Sequence, residues 1–250
     1  MRYLLLTKIF TLLLVILFAT GCASTHNPDD PLESMNRSVF EVNEMLDEHL
    51  MEPVARGYKY IVPDPIEMVV GNFFSNINDV VVTANSLLQL NFESAVASGA
   101  RVLINTTFGM LGLIDIASDV SMASDINLDK RNEDFGQTLG RYGIGSGPYL
   151  VLPFFGPSSV RDAVGLGVDV FIADPISTVI YLNNVNALDT VVRSSVGTGR
   201  LLDTRAQLLD VQKTLEEAAL DKYEFIRDAY LQRRESLVNN YDTSEPDELD

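Results

Sequence analysis

Three stretches in the middle of the chain invert the polarity of an ordinary surface helix. From Asp79 to Leu90 the polar residues Asp79, Thr83, Ser86 and Gln89 recur at helical spacing, surrounded by Val80, Val81, Val82, Ala84, Leu87 and Leu88. From Ala95 to Asn105 the polar stripe is Ser98, Arg101 and Asn105, set among Val96, Ala97, Val102, Leu103 and Ile104. After Ser158-Ser159, which can cap a helix, Asp162, Gly165 and Asp169 line up within Val160, Val164, Leu166, Val168, Val170, Phe171 and Ile172. A helix on the surface of a soluble protein carries an apolar stripe on a polar cylinder; these carry a polar stripe on an apolar one. Two arrangements satisfy that pattern. The helices can form a core with a thin solvent-facing edge, or face lipid outside and share a polar seam inside.

The flanking segments are more conventional. Asp30, Pro31 and Glu33 give a cap, a first-turn proline and a capping-box pattern, and Leu32, Met35, Val39, Val42 and Leu46 follow at helical spacing. Pro53 is expected to end that helix, with a connector running to Pro65 and anchored by Tyr58, Tyr60 and Ile61. A second helix then carries Ile66, Val69, Phe73 and Ile77 on one face. The segment from Gly147 to Pro157 is bracketed and broken by proline, so it can neither run as a helix nor pair as a central strand. It suits a buried plug or a loop dipped into lipid. From Leu201 the chain reads as soluble amphipathic helix to about Asn240, and Asp242 to Asp250 is an acidic tail expected to be disordered.

At the other end, Arg2 and Lys8 precede an apolar run from Ile9 to Phe18, and Phe18-Ala19-Thr20-Gly21-Cys22 follows. A charged start, about ten apolar residues and small residues at the cut read as a secretory signal over residues 1–21. The run is too short to span a bilayer, which takes roughly 20 residues. Cys22 is the only cysteine, placed where a bacterial lipobox has the thiol that is lipidated and becomes the first residue. Ala19 stands where Leu is usual. The alternative is an ordinary signal ahead of a free thiol, a liability in an oxidising compartment. The expected organisation is a leader, a lipidated tether over 22–30, a helical domain over 31–241 and the tail over 242–250.

Charge sharpens this picture. The chain has 18 basic and 35 acidic residues, a formal net charge of −17, and loss of the leader with Arg2 and Lys8 makes it two charges more negative. Such a surface repels nucleic acid and anionic headgroups and attracts a basic protein partner. Enzyme chemistry finds little footing. Of two histidines, His26 lies in the tether and His49 stands alone. No Gly-x-Ser-x-Gly elbow, Walker A pattern or GxGxxG opening a helix is present, and cysteine and histidine are too few for zinc. No cofactor is expected beyond a covalent lipid on Cys22.

Asp30-Pro31-Leu32-Glu33 with Asn36-Arg37, Pro53-Val54-Ala55, Asn72-Phe73, and Arg101 with Asn105-Thr106 follow in order. Then come Phe135-Gly136-Gln137-Thr138-Leu139-Gly140, Gly147-Pro148-Tyr149, Leu152-Pro153, Gly156-Pro157-Ser158, Arg161-Asp162 and Thr204-Arg205-Ala206-Gln207-Leu208-Leu209-Asp210. In that order, from about Asp30 to Asn240, the chain resembles the MlaA (VacJ) family of outer-membrane lipoproteins. The resemblance implies an all-α, ring-like domain embedded in the outer membrane of a Gram-negative bacterium, with a central polar pore and a periplasm-facing C-terminal helical region. It implies removal of misplaced phospholipid from the outer leaflet, handover to a soluble periplasmic MlaC-like carrier, and association with a trimeric porin. Ala23 after the cysteine fits outer-membrane sorting. On that reading Asp79, Thr83, Ser86, Ser98, Arg101, Asn105, Asp162 and Asp169 are the candidate pore and headgroup residues. Arg101 would meet phosphate with Asp162 as an internal partner, or instead pair with a carboxylate to hold the ring together. A structural porin-binding lipoprotein and a phospholipid hydrolase are the alternatives.

Overall fold

In a computed structural model, residues 30–170, 205, 206, 209 and 220–239 are described. The leader, Cys22, His26, Phe171, Ile172, the tail and most of the stretch from Leu201 to Leu215 lie outside them. The described chain is mostly helical, as expected, with one two-stranded hairpin in addition.

Helix α1 spans Glu33–Leu46, passes through a π-helical turn at Asp47–Met51 and continues as α2, Glu52–Ile61. Pro53 therefore does not end the helix, and the expected connector is largely helical. Proline costs a helix its own N–H bond and crowds the carbonyl four residues earlier. Here it falls in the first turn of α2, directly after the π turn, where the ladder is already opened to Glu52 N–H donating to Asp47 O. Asp30 is also not the side-chain cap; its carboxylate is buried, accepting from Asn36 at 2.9 Å and from the Tyr223 hydroxyl.

Helix α3, Asp64–Leu88, begins after extended Pro63 with Pro65 in its first turn. At about 1.5 Å per residue its 25 residues reach roughly 37 Å. It ends with Leu90 in the left-handed region (φ 59°) and Asn91 N–H bonded back to Ser86 O at 2.9 Å, a six-residue closing bond. Asn91 then caps α4, Phe92–Thr107, by accepting from Ser94 N–H at 3.2 Å. The two helices form a tight antiparallel hairpin. Helices α5 (Ile116–Ala123) and α6 (Phe135–Arg141) are capped by Asp115 and Asp134.

Strands β1 (Tyr149–Leu152) and β2 (Gly156–Ser159) pair antiparallel with Tyr149 opposite Ser159. Being two-stranded, the hairpin has only edge strands, which is where proline is tolerated. The outer edge of β1 is closed by side chains of α1. Asn36 bonds Tyr149 O and Val151 N–H, each at 3.0 Å, and Asn43 bonds Leu152 O at 2.9 Å and Phe154 N–H at 3.0 Å. Two amides two helical turns apart thus stand in for a third strand. Ser159 caps α7, Val160–Val168, accepting from Asp162 N–H at 3.2 Å. Helix α8, Lys222–Asn239, returns to the hairpin. Tyr149, Val151 and Tyr223 form a small apolar core with Val39, Phe40, Tyr230 and Leu231 around it, and Arg37 lies 4.4 Å above the Tyr223 ring.

Candidate functional site

The inverted helices turn their polar stripes inward. Among the described residues, 17 buried side chains are polar or charged and 11 are apolar. Asp79, Ser86, Ser98, Arg101 and Asn105 are buried, while Leu87, Leu88, Val96 and Leu103 on the same two helices are exposed. In the α3–α4 hairpin the polar stripes face inward, with Leu87, Leu88, Val96 and Leu103 outward. Its faces meet where Gly99 packs against Thr83; a Cβ at Gly99 would lie in ordinary contact, 3.5 Å from the Thr83 methyl.

Arg101, 1% exposed, is the centre of the seam. Its Nε donates to Asp79 at 3.1 Å, Nη1 to Ser118 Oγ at 3.1 Å and Leu128 O at 2.8 Å, and Nη2 to Asp115 at 2.9 Å. Four of the five N–H donors of a guanidinium are thereby engaged. Asn105 donates to Asp115 at 2.9 Å and accepts from Ala117 N–H at 2.8 Å. Lys130 stands 3.3 Å from Asp79 and also bonds Ser75. Burial lowers the Lys130 ammonium's pKa, with Asp79 working against that shift. Burial also opposes ionisation of Asp115, but hydrogen bonds from Ser118, Asn105 and Arg101 outweigh it and hold its pKa down at about 2.

Asp169 belongs to a second stretch of the seam. It accepts from Asn85 at 2.9 Å and from Phe135 N–H at 2.8 Å. Asn85 continues to Thr138 at 3.1 Å, and Gln89 links Thr138 to Glu133. Burial raises the carboxyl pKa of both Asp169 and Glu133.

Asp162 sits in a separate cluster. It accepts from Arg161 at 2.9 Å, from Arg234 at 2.9 and 3.0 Å and from the Tyr230 hydroxyl at 2.6 Å. Arg234 also grips Asp134, so α8 is clasped to α6 and α7. Burial works against the Asp162 charge, yet these donors bring its pKa down to about 2. Glycines let the clasp close: a Cβ at Gly165 would lie 2.3 Å from Gly136 N.

Of the sequence candidates, then, Asp79, Arg101 and Asn105 meet in one network, and Thr83 donates at 2.6 Å to Asp79 O beside it. Ser86 and Ser98 are buried with hydroxyls lacking a hydrogen-bond partner among the described residues. Asp169 bonds Asn85 in the separate second stretch, and neither it nor Asp162 meets Arg101. Asp115, Asn85, Lys130, Asp134, Tyr230 and Arg234 complete these clusters without belonging to the sequence candidates. Two of these carried a signal: Asp115 three before Ser118 and Asp134 three before Gln137 are helix-start patterns.

A family model described as MlaA lipoprotein matches residues 28–237. The intermembrane phospholipid transport system lipoprotein MlaA of Escherichia coli is 34% identical over 226 residues, covering 88% of this chain and 84% of that protein. Its namesake in Haemophilus influenzae is 31% identical over 239 residues, covering 93% and 90%. An uncharacterised Rickettsia typhi protein is 35% identical over 218 residues, covering 87% and 80%. Among solved structures, one described as the structural basis for maintenance of bacterial outer membrane lipid asymmetry superposes with TM-score 0.68 at 32% identity. It covers 84% of this chain and 99% of that one.

Proposed function

The chain belongs to the MlaA lipoprotein family, and from that membership we propose that it removes misplaced phospholipid from the outer leaflet of a Gram-negative outer membrane. On this reading a lipid on Cys22 anchors it, the apolar faces of α3 and α4 lie in lipid, and the phospholipid leaves by a polar route to a soluble periplasmic carrier. The observation that carries the proposal is the inversion of the α3–α4 hairpin, with Leu87, Leu88, Val96 and Leu103 outside and Arg101, Asp79 and Asn105 inside.

The energetics favour such a device. Moving an acyl chain of roughly 15 methylenes through water costs on the order of 10 kcal/mol, at about 0.8 per methylene. A charged headgroup meets the opposite barrier in hydrocarbon and needs polar surroundings. A ring of helices, greasy outside and polar inside, lowers both. Arg101 serves in it as the fastener of the seam rather than as a free phosphate donor, because its hydrogen bonds are already committed. With no nucleotide motif to drive the step, direction comes from the relative affinities of successive partners. The acidic C-terminal region offers negative charge to a basic carrier; on the outer face of α8 Glu224 is paired with Arg37 and Asp228 with Arg227, and Glu235 is exposed beside them. Association with a trimeric porin belongs to the same proposal.

The test is reconstitution of the lipidated protein in vesicles carrying labelled phospholipid, with carrier outside. Labelled lipid is expected on the carrier, intact. If the protein holds porin but moves no lipid, it is a structural lipoprotein; if lyso-lipid accumulates, it is a hydrolase.

A further inference from the structure

At the tip of the β1–β2 hairpin, Pro153, Phe154 and Phe155 make the turn. Phe154 is 75% exposed and Phe155 59%. Phe154 also has φ 66°, in the left-handed region that bulky side chains avoid, whereas Gly156 at φ 75° is the residue type suited to it. A phenyl ring set in solvent on such a backbone is disfavoured twice. Asn43 of α1 holds it there, accepting from Phe154 N–H at 3.0 Å and donating to Leu152 O at 2.9 Å. Strain fixed by its surroundings in this way gathers at functional sites. Three further observations bear on what the rings meet. From Tyr142 to Val160 no residue is charged, so a basic protein finds no ion pair here. Pro153 has no N–H and that of Phe154 is taken, so the turn can enter hydrocarbon with little unpaired backbone. Last, Asn36 ties the base of the hairpin to the N-terminal tether, donating to Tyr149 O at 3.0 Å and to buried Asp30 at 2.9 Å. Asp30 is eight positions from Cys22, at most about 29 Å of stretched chain. Asn43 lies only about 10 Å along α1 from Asn36. A leaflet that holds the acyl chains of Cys22 is therefore never far from the tip.

We propose that the Phe154–Phe155 tip enters the lipid leaflet that carries the acyl chains of Cys22 and is a second fixed point of the molecule on its membrane. A tether alone limits distance and leaves the angle between domain and membrane free. A tip braced on α1 by Asn36 and Asn43 sets that angle. Among acyl chains the two rings gain the apolar burial they lack in solvent, which offsets the strain at Phe154. The proposal rests on the lipoprotein reading above, not on lipid transfer, and adds to it the segment that meets the leaflet.

The chain has no tryptophan, so Phe155→Trp in the full lipidated protein gives a lone indole at the tip. The variant is placed in phosphatidylcholine discs, with and without bromine on the acyl chains. Bromolipid is expected to quench the indole, its emission to lie to the blue of the unfolded variant, and iodide in the water to leave it unquenched. Quenching by iodide with no effect of bromolipid overturns the tip site. Shielding from iodide that appears only once carrier or porin is added overturns lipid in favour of a protein partner. Phe154→Asn, whose side chain tolerates a left-handed backbone, separates the tip from the fold. Its melting in detergent should hold or rise, while bromolipid quenching falls when it is combined with Phe155→Trp. A lower melting point makes Phe154 a structural residue and sinks the proposal. Transfer of labelled phospholipid to carrier is read in the same discs. A quenched indole without transfer sinks the transport reading and keeps the tip; transfer with the indole in water does the reverse.

Discussion

Asp115 holds three parts of the molecule at once. It caps α5 through Ser118 N–H, steadies Asn105 and closes the ion pair of Arg101. Asp162 plays the matching part under α8 with Arg161, Arg234 and Tyr230. Both carboxyls have pKa values of about 2 in the folded chain, against about 3.9 for an unfolded Asp. A depressed folded pKa contributes stability that is complete above about pH 4 and drains away as pH falls toward 2. Asp162, with 8% of its side chain exposed, carries up to roughly 2 kcal/mol of this. Asp115 carries less, because 26% of its side chain reaches solvent. Denaturant midpoints should therefore hold steady or rise slightly from pH 7 to about 4.5, because the raised pKa values of Glu133 and Asp169 favour the folded chain as they take up protons, and then fall, with a shallower acid slope in Asp162→Asn. Midpoints that already slide between pH 7 and 5 would show other groups in control. Legibility in the sequence divided along the same line. Arg101, Asp79 and Asn105 could be read because they repeat on one helix face. Their partner Asp115 could not, since a cap carboxylate reads as punctuation and nothing local announces an arginine fourteen positions away.

Helices here are placed as much by glycine and amide groups as by greasy faces. At the α6–α7 crossing the closest approach is backbone on backbone, and Gly165 and Gly136 leave no room for a methyl. Gly165→Ala must push the two helices apart, at a cost of about 1–3 kcal/mol or more. Gly57, inside α2, has nothing within 4 Å of its would-be Cβ. Gly57→Ala should therefore stabilise by about 0.5–1 kcal/mol through helix propensity alone. Parallel thermal melts check the pair, and like signs for the two changes would refute this account. The stripes of α3, α4 and α7 were legible because periodicity is a property of one helix. The pass of Pro53 through a helix was not, because a π turn leaves no mark on hydrophobic spacing. Nor was the β1 edge, which Asn36 and Asn43 complete from more than a hundred residues away.

For the molecule as a whole, polarity inversion and the N-terminal cysteine are two independent claims on the membrane. Among the described residues no helix is long and apolar enough to cross a bilayer. For the described residues, a hold on lipid would rest on faces rather than spans, a geometry in which buried apolar area sets the strength. Exposed apolar side chains are spread widely: Val96 and Leu103 on α4, Phe108, Met110 and Leu111 in the loop after it, and Phe154 and Phe155 at the hairpin tip. If these faces already sit in hydrocarbon, loss of a lipid at Cys22 would matter little. The chain carrying Cys22→Ala, directed to the periplasm by an ordinary signal, separates the claims. In a detergent that forms its own phase on warming, it should follow the detergent almost as completely as the lipidated protein does. Movement of the variant wholly into the aqueous phase would mean that the greasy faces are covered by protein instead, and that Cys22 alone ties the molecule to its membrane.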